Sequence, residues 1–202
     1  MTRPSPTYDQ TPVIFATNNA HKIEEIQAAI GQNLRVITLR EAGIDIDIPE
    51  PHDTLEANAE EKSATIYRLT GNNCFGEDTG LEVAALGGEP GVRSARYAGD
   101  IKSDNDNVAL LLHRLRDHAD RRARFRTVIS LIWNGGRHLF EGTCEGHVLT
   151  TPAGRNGFGY DPVFVPDGET RSFAQMSLEE KNRYSHRRKA ADQLVAFLRQ
   201  SK

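Results

Sequence analysis

A chain of 202 residues, 38% hydrophobic and 26% charged, suits one domain and can bury a substantial core. Its formal charge of −3 argues against a general nucleic-acid binder, whose footprint is basic, while leaving room for a small anionic ligand in a local basic pocket. Two cysteines without a CxxC or Cys/His cluster argue against a disulfide framework or a zinc site, and no stretch reaches membrane-spanning length, so a reducing, cytoplasmic setting is expected.

Residues 1–10, MTRPSPTYDQ, lack the apolar run of a signal peptide and are expected to form a mobile tail ahead of one two-lobed domain over 11–202. VIFAT (13–17) reads as a short apolar strand. It leads into NNAHKIEEIQAAIG, where Ile23, Ile26 and Ile30 recur at helical spacing and Gly31 is a natural stop. In the turn TNNAHK (17–22) a helix N-terminus offers free N–H groups and a dipole that favours an anion, and Lys22 adds a full positive charge. Asn18 or Asn19 acting as an N-cap, with Lys22 solvated, explains the same residues. The GxxxxGK[ST] pattern is absent, so this is not a Walker phosphate loop.

A second helix is expected from Asp53 or Thr54 to Leu69, with Gly71 as terminator. Asp53 and Glu56 fit a capping box, which accounts for Glu56 without any ligand. CFGEDTGLEVAAL then reads as strand, acidic corner and strand. Glu77 and Asp78 repel one another unless a cation or solvent compensates, and two carboxylates beside Gly80 suit a hard divalent cation that keeps several waters. With Glu56 as a third acid, one Mg²⁺ would neutralise the pair and bridge it to phosphate. A solvated turn, with Asp78 accepting from backbone N–H groups, is the competing account.

The next helix begins near Ser103 and carries Val108, Leu111, Leu112 and Leu115 on one stripe. RRARFR (121–126) reads as an exposed strand edge protected by charge. FRTVISLIW, NGG and RHLFEG make a hairpin, and CEGHVL continues the strands. In RNGFGYDP (155–162), glycines flank Phe158 and let backbone approach a flat ligand, with Phe158 and Tyr160 as stacking faces and Asp161 held extended before Pro162. Packing of those aromatics into the core is an equal alternative. Ser177 and Glu180 form a capping box that opens a helix, followed by a basic run of Lys181, His186, Arg187, Arg188 and Lys189. That run suits phosphate or keto oxygens, or is a charged helix surface. The last helix holds Ala190, Ala191, Leu194 and Leu198. Strands interleaved with helices, plus a hairpin, give a mixed, twisted α/β sheet flanked by helices.

Taken together, FATNNAHKIEEI, TLEANAEEKS, GEDTGLEVAALGGEPGVRSARYAG, FEGTCEG, GRNGFGYDPVF and FAQMSLEEKNRYSHRRKA resemble the inosine triphosphatase family over residues 13–198, in order and at family-like spacing. These are pyrophosphatases that clear non-standard purine nucleoside triphosphates. The resemblance implies a two-lobed α/β fold with a central cleft, a homodimer, Mg²⁺ dependence, and hydrolysis of ITP, dITP and XTP to monophosphate and pyrophosphate. It implies that Thr17, Asn18, Asn19, Ala20, His21 and Lys22 bind the triphosphate and that Thr79 contacts substrate. It further implies that Phe158, Gly159, Tyr160 and Asp161 receive the base, while Lys181, His186 and Arg187 contact base and phosphates. Asp78 is implied as the catalytic member of the acidic pair, ligating metal with Glu56 and accepting a proton from water. Glu77 stands where many bacterial members carry Asp, which bears on its direct contact with the metal.

The C6 keto oxygen of hypoxanthine and xanthine would accept from His186, Arg187 or the 158–161 backbone, where adenine presents a donor. Leaving such a group unpaired costs on the order of 1–3 kcal/mol, about 5- to 150-fold. Two other readings fit the residues less fully. One is a Maf-like pyrophosphatase for modified pyrimidine nucleotides; the other is a nucleotide-binding sensor without turnover.

Overall fold

The computed structural model describes residues 12–101 and 103–201, and the tail expected at 1–10 lies outside them. Short apolar runs form β1 (Val13–Phe15) and β2 (Val36–Thr38), separated by helix α1 (Ala20–Ile30). Helix α2 (Leu55–Thr70) precedes β3 (Cys74–Val83) and the two-residue β4 (Pro90–Gly91). Helix α3 (Asp104–Arg114) leads to the hairpin of β5 (Arg122–Trp133) and β6 (Gly136–Val148), then β7 (Phe164–Pro166), α4 (Leu178–Asn182) and α5 (His186–Gln200). The hairpin turns on Asn134 and Gly135 at φ 49° and 81°, the left-handed pair that matches strand twist.

All seven strands join one mixed sheet in the order β2-β1-β3-β5-β6-β7, with β4 added to β3. β1 runs parallel to β2 and β3, and the remaining pairs are antiparallel. The mixed α/β sheet expected from sequence is therefore the fold. Two local expectations change. β3 continues through the acidic pair without a corner, because Glu77 and Asp78 pair with Ile129 and Val128 of β5. RRARFR does not form an edge, since β5 lies between β3 and β6; Arg124 instead faces Glu82 and Arg126 faces Glu141, while Arg121 donates to backbone carbonyls.

The helices take opposite faces. α1 packs on α5, which covers β5 and β6, while α2 covers β3 and β5 from the other side. The buried face of α2 is Leu55, Asn58, Ala59, Lys62, Ser63 and Ile66, a helical stripe in which half the residues are polar. Thr54, rather than Asp53, caps this helix by accepting from Ala57 N. A Cβ at Gly76 would fall 2.4 Å from the Ala59 carbonyl oxygen and 2.6 Å from Lys62 Cβ, so glycine lets α2 sit directly on β3.

Two large apolar clusters lie toward opposite ends of the long strands. Phe75, Ile129 and Leu131 join α1 and α5 at one end, and Leu81, Phe125 and Val148 join Phe164 and Phe173 at the other. Between them β1 stops at Phe15, so the β1-facing edge of β3 is released after Phe75 until β4 pairs at Leu81. Chain leaves β1 over one face and reaches β3 over the other, a switch point of the kind where α/β sheets bind ligands.

Candidate active site

A cavity of about 480 Å³ opens at this gap, a size suited to a nucleotide. It is lined by the turn after β1, the 47–50 segment, the middle of β3, the 158–161 loop and the start of α5. Asn19 caps α1, its side chain accepting from Lys22 N at 3.2 Å, while Thr17 Oγ1 accepts from Asn19 N and Asn18 Nδ2 donates to Ile46 O. Thr17, Asn18, Asn19, His21 and Lys22 all line the cavity; Ala20 does not. The first turn of α1 holds no acid, so its N-terminus and Lys22 leave positive potential there.

Strand alternation separates the two acids. Glu77 faces α1 and α5, where Arg187 grips both its oxygens at 2.8 and 2.9 Å and Lys22 lies 3.4 Å away. Burial opposes ionisation of Glu77, but Arg187 and Lys22 overcome it and hold the carboxyl well below the usual carboxylate range. Thr79 Oγ1 donates to Glu77 at 2.6 Å and also meets Thr127 Oγ1. With its side chain fully enclosed in these contacts, Glu77 is a buried ion-pair partner.

Asp78 faces α2. Lys62 Nζ lies 3.1 Å from Oδ1 and Asn58 Nδ2 donates to Oδ2 at 3.3 Å. Burial raises its pKa, and Lys62 and Lys22 oppose this only in part. Lys62 Nζ also sits 2.5 Å from Glu50 Oε1, while Arg96 donates to the Glu50 carbonyl at 3.2 Å. Burial disfavours the Lys62 ammonium, but Asp78 and Glu50 outweigh it and raise its pKa. The acid brought beside Asp78, through the Lys62 ammonium they share, is therefore Glu50, while Asp47, Asp104 and Asp161 also line the cavity. Glu56 is not among the lining residues and pairs instead with Arg126, which also binds Glu141.

Across the cavity the Phe158 ring stacks on His21 with centroids 5.2 Å apart, and Lys181 and Arg187 lie 5.4 and 5.6 Å from its centre. Lys181 is buried between Asp161 at 2.5 Å and Glu25 at 2.7 Å; Arg187 also pairs with Glu25. Gly159 N donates to Asp104 at 2.6 Å. Tyr160 lines the wall but sends its hydroxyl to Ser94 O, so it belongs largely to the core. His186 is buried, stacked 4.6 Å from Phe125, and its Nδ1 has no partner among the described residues. Burial, with Arg187 and Lys181 nearby, pushes its pKa well below 6.5, so it is neutral. The basic run divides here: Ser185 caps a new helix, and Arg188 and Lys189 turn outward to Asp192 and Thr143 O.

Sequence reasoning missed Glu25, Glu50, Asn58, Lys62 and Arg96. For Asn58 and Lys62 a signal existed, since both fall on the apolar stripe of α2, where an unexplained amide and ammonium demand partners. Glu25, beside Ile26 on the buried side of α1, carried a similar one.

The model of the Ham1 family matches residues 13–197. The chain belongs to that family. A dITP/XTP pyrophosphatase of Porphyromonas gingivalis is 49% identical over 187 residues, 92% of this chain and 96% of that one. Another from Flavobacterium psychrophilum is 46% identical, covering 93% and 98%. Among solved structures, the Staphylococcus aureus Ham1 protein superposes with a TM-score of 0.85 at 40% identity, covering 95% of this chain and all of that one. A Mycobacterium abscessus nucleoside-triphosphatase, dITP/XTP pyrophosphatase, gives 0.73 at 34% identity, covering 95% and 100%. The resemblance seen in the sequence holds, and Ham1 relatives share this sheet.

Proposed function

We propose that this Ham1-family chain hydrolyses dITP, ITP and XTP to the monophosphate and pyrophosphate. One observation carries the reading: the Asp78 carboxylate shares a single cavity with the α1 N-terminus, Lys22 and Lys62 on one side and the Phe158 loop on the other. The triphosphate lies against the α1 N-terminus, with Lys22 and Lys62 offsetting its charge. The purine meets Phe158, and its C6 keto oxygen accepts from Lys181, Arg187 or His186. Adenine offers a donor at that position, which leaves those groups unpaired. Asp78 orients the attacking water and takes its proton, a role that suits a carboxylate of raised pKa.

Asp78 and Glu50 are hard oxygen donors gathered around one point, now bridged by the Lys62 ammonium. The described residues hold no cluster of three or more His, Cys, Asp or Glu arranged for a metal, so a cation there completes its shell with water and phosphate, which is the habit of Mg²⁺. When bound, Mg²⁺ neutralises charge developing on the leaving pyrophosphate. Burial pushes the Cys74 and Cys144 thiols up to about 12, which suits inert thiols in a reducing cytoplasm. The homodimer implied by the resemblance belongs to the same reading and is tested by sedimentation.

The experiment is pyrophosphate release from dITP, XTP, ITP, GTP, ATP and modified pyrimidine triphosphates, with Mg²⁺ and with chelator. Fast release from dITP, ITP and XTP, abolished by chelator, and slow release from ATP and the pyrimidines, are expected. Equal release from ATP, or a preference for pyrimidines, removes the assignment.

A further inference from the structure

Asn58 is a buried amide, 1% exposed, within the first turns of α2 on the face packed against β3. Helix propensity and desolvation both disfavour it there. Its polar atoms are nonetheless engaged. Oδ1 accepts from His52 N at 3.0 Å, and Nδ2 donates to His52 O at 3.1 Å and to Asp78 Oδ2 at 3.3 Å.

The paired bonds to His52 hold the backbone of the segment that carries Glu50, two residues upstream. The third takes one oxygen of Asp78, while Lys62, one turn along α2, takes the other. The carboxylate is thereby locked against rotation, with Oδ1 turned toward Lys62 and Glu50. Asn107, another buried amide, shows the purely architectural alternative: it bonds only backbone, accepting from Ala98 N and donating to Ala95 O. Asn58 differs in reaching the reacting carboxylate, and it is absent from the residues lining the cavity.

We propose that Asn58 is a positioning residue for hydrolysis, fixing the orientation of Asp78 and the approach of the Glu50 segment without touching the nucleotide. This rests on the hydrolytic reading above. Two variants test it in the full chain, Asn58→Ala and Asn58→Asp. The first removes all three bonds. The second keeps the volume and the acceptor for His52 N–H, but loses both donations and sets a second carboxylate against Asp78.

kcat and KM for dITP are measured at saturating Mg²⁺, and the melting midpoint is taken on the same samples. In both variants kcat falls about 10- to 100-fold, the scale of a hydrogen bond to a charged group, while KM moves less than about threefold. Both melt cooperatively below the parent, Asn58→Asp because its carboxylate faces His52 O and Asp78 in the core. A kcat within about twofold of the parent in either folded variant overturns the proposal. So does a loss expressed as raised KM, and so does failure of both variants to fold, which makes Asn58 a scaffold residue. A parent that releases no pyrophosphate from dITP sinks the hydrolytic reading itself and is seen before any variant is compared.

Discussion

Replacing Arg187 by Met tests the electrostatic scaffold under the base side of the cavity. Arg187 is fully buried and pairs with Glu77 through two bonds and with Glu25 through a third. Met keeps much of the apolar volume and removes the guanidinium, leaving two buried carboxylates with Lys22 and Lys181 as their counter-charges among the described residues. Removing one partner of a buried ion pair costs about 3–5 kcal/mol. For a chain of this size each kcal/mol moves the melting midpoint by about 2–4 °C, so a fall of roughly 6–20 °C is expected at pH 8. The pH dependence separates this from a packing defect. In the parent Glu77 and Glu25 have depressed pKa values, so their contribution is present above the unfolded value of about 4.3 and is lost as pH falls. In Arg187→Met burial dominates and raises both, so protonation on acidification relieves the variant. The gap between the two melting curves therefore narrows from pH 8 to pH 5, read by circular dichroism. A gap under about 2 °C at pH 8, or one that stays constant with pH, refutes the reasoning.

Asp78→Asn is expected to cost at least about 100-fold in kcat, as loss of a general base does, with little loss of thermal stability because a carboxylate disfavoured by burial is removed; turnover assays and a melting curve check both halves. Gly76→Ala drives a methyl into Ala59 O and Lys62 Cβ, costing about 1–3 kcal/mol of overpacking. Its melting midpoint and kcat fall together, as α2 carries Asn58 and Lys62 away from Asp78. Glu50→Gln raises the Mg²⁺ concentration for half-maximal rate several-fold, whereas Glu56→Gln leaves it within twofold; a Mg²⁺ titration giving the reverse order returns the metal to Glu56.

Local signals carried much of this architecture. Asn134-Gly135 between apolar runs placed the hairpin, and Ser103 and Ser177 marked helix starts because a side-chain cap acts over three residues. The acidic pair was misjudged as a corner because adjacent like charges look intolerable on one surface. Strand alternation removes the difficulty by giving each acid its own face and its own cation, and that depends on β5 pairing across some fifty residues of sequence. Glu56 and Glu50 show the same limit. The resemblance placed Glu56 on the metal while its spacing suited a cap, and the neighbour of Asp78 is set by where an irregular segment folds back over the helix, held by Asn58. RRARFR misled for the opposite reason, since Arg124 and Arg126 are met by Glu82, Glu141 and Glu56 on neighbouring elements and Arg121 by backbone carbonyls, with Arg122 left in solvent beside Asp120.

Because Glu77 and Asp78 point to opposite sides of one strand, each is held by its own set of helices, Glu77 by Arg187 of α5 and Lys22 of α1, Asp78 by Asn58 and Lys62 of α2. That division makes the strand intolerant to insertion: one residue added to β3 ahead of the pair would exchange the two acids between sides and strip both of their cations.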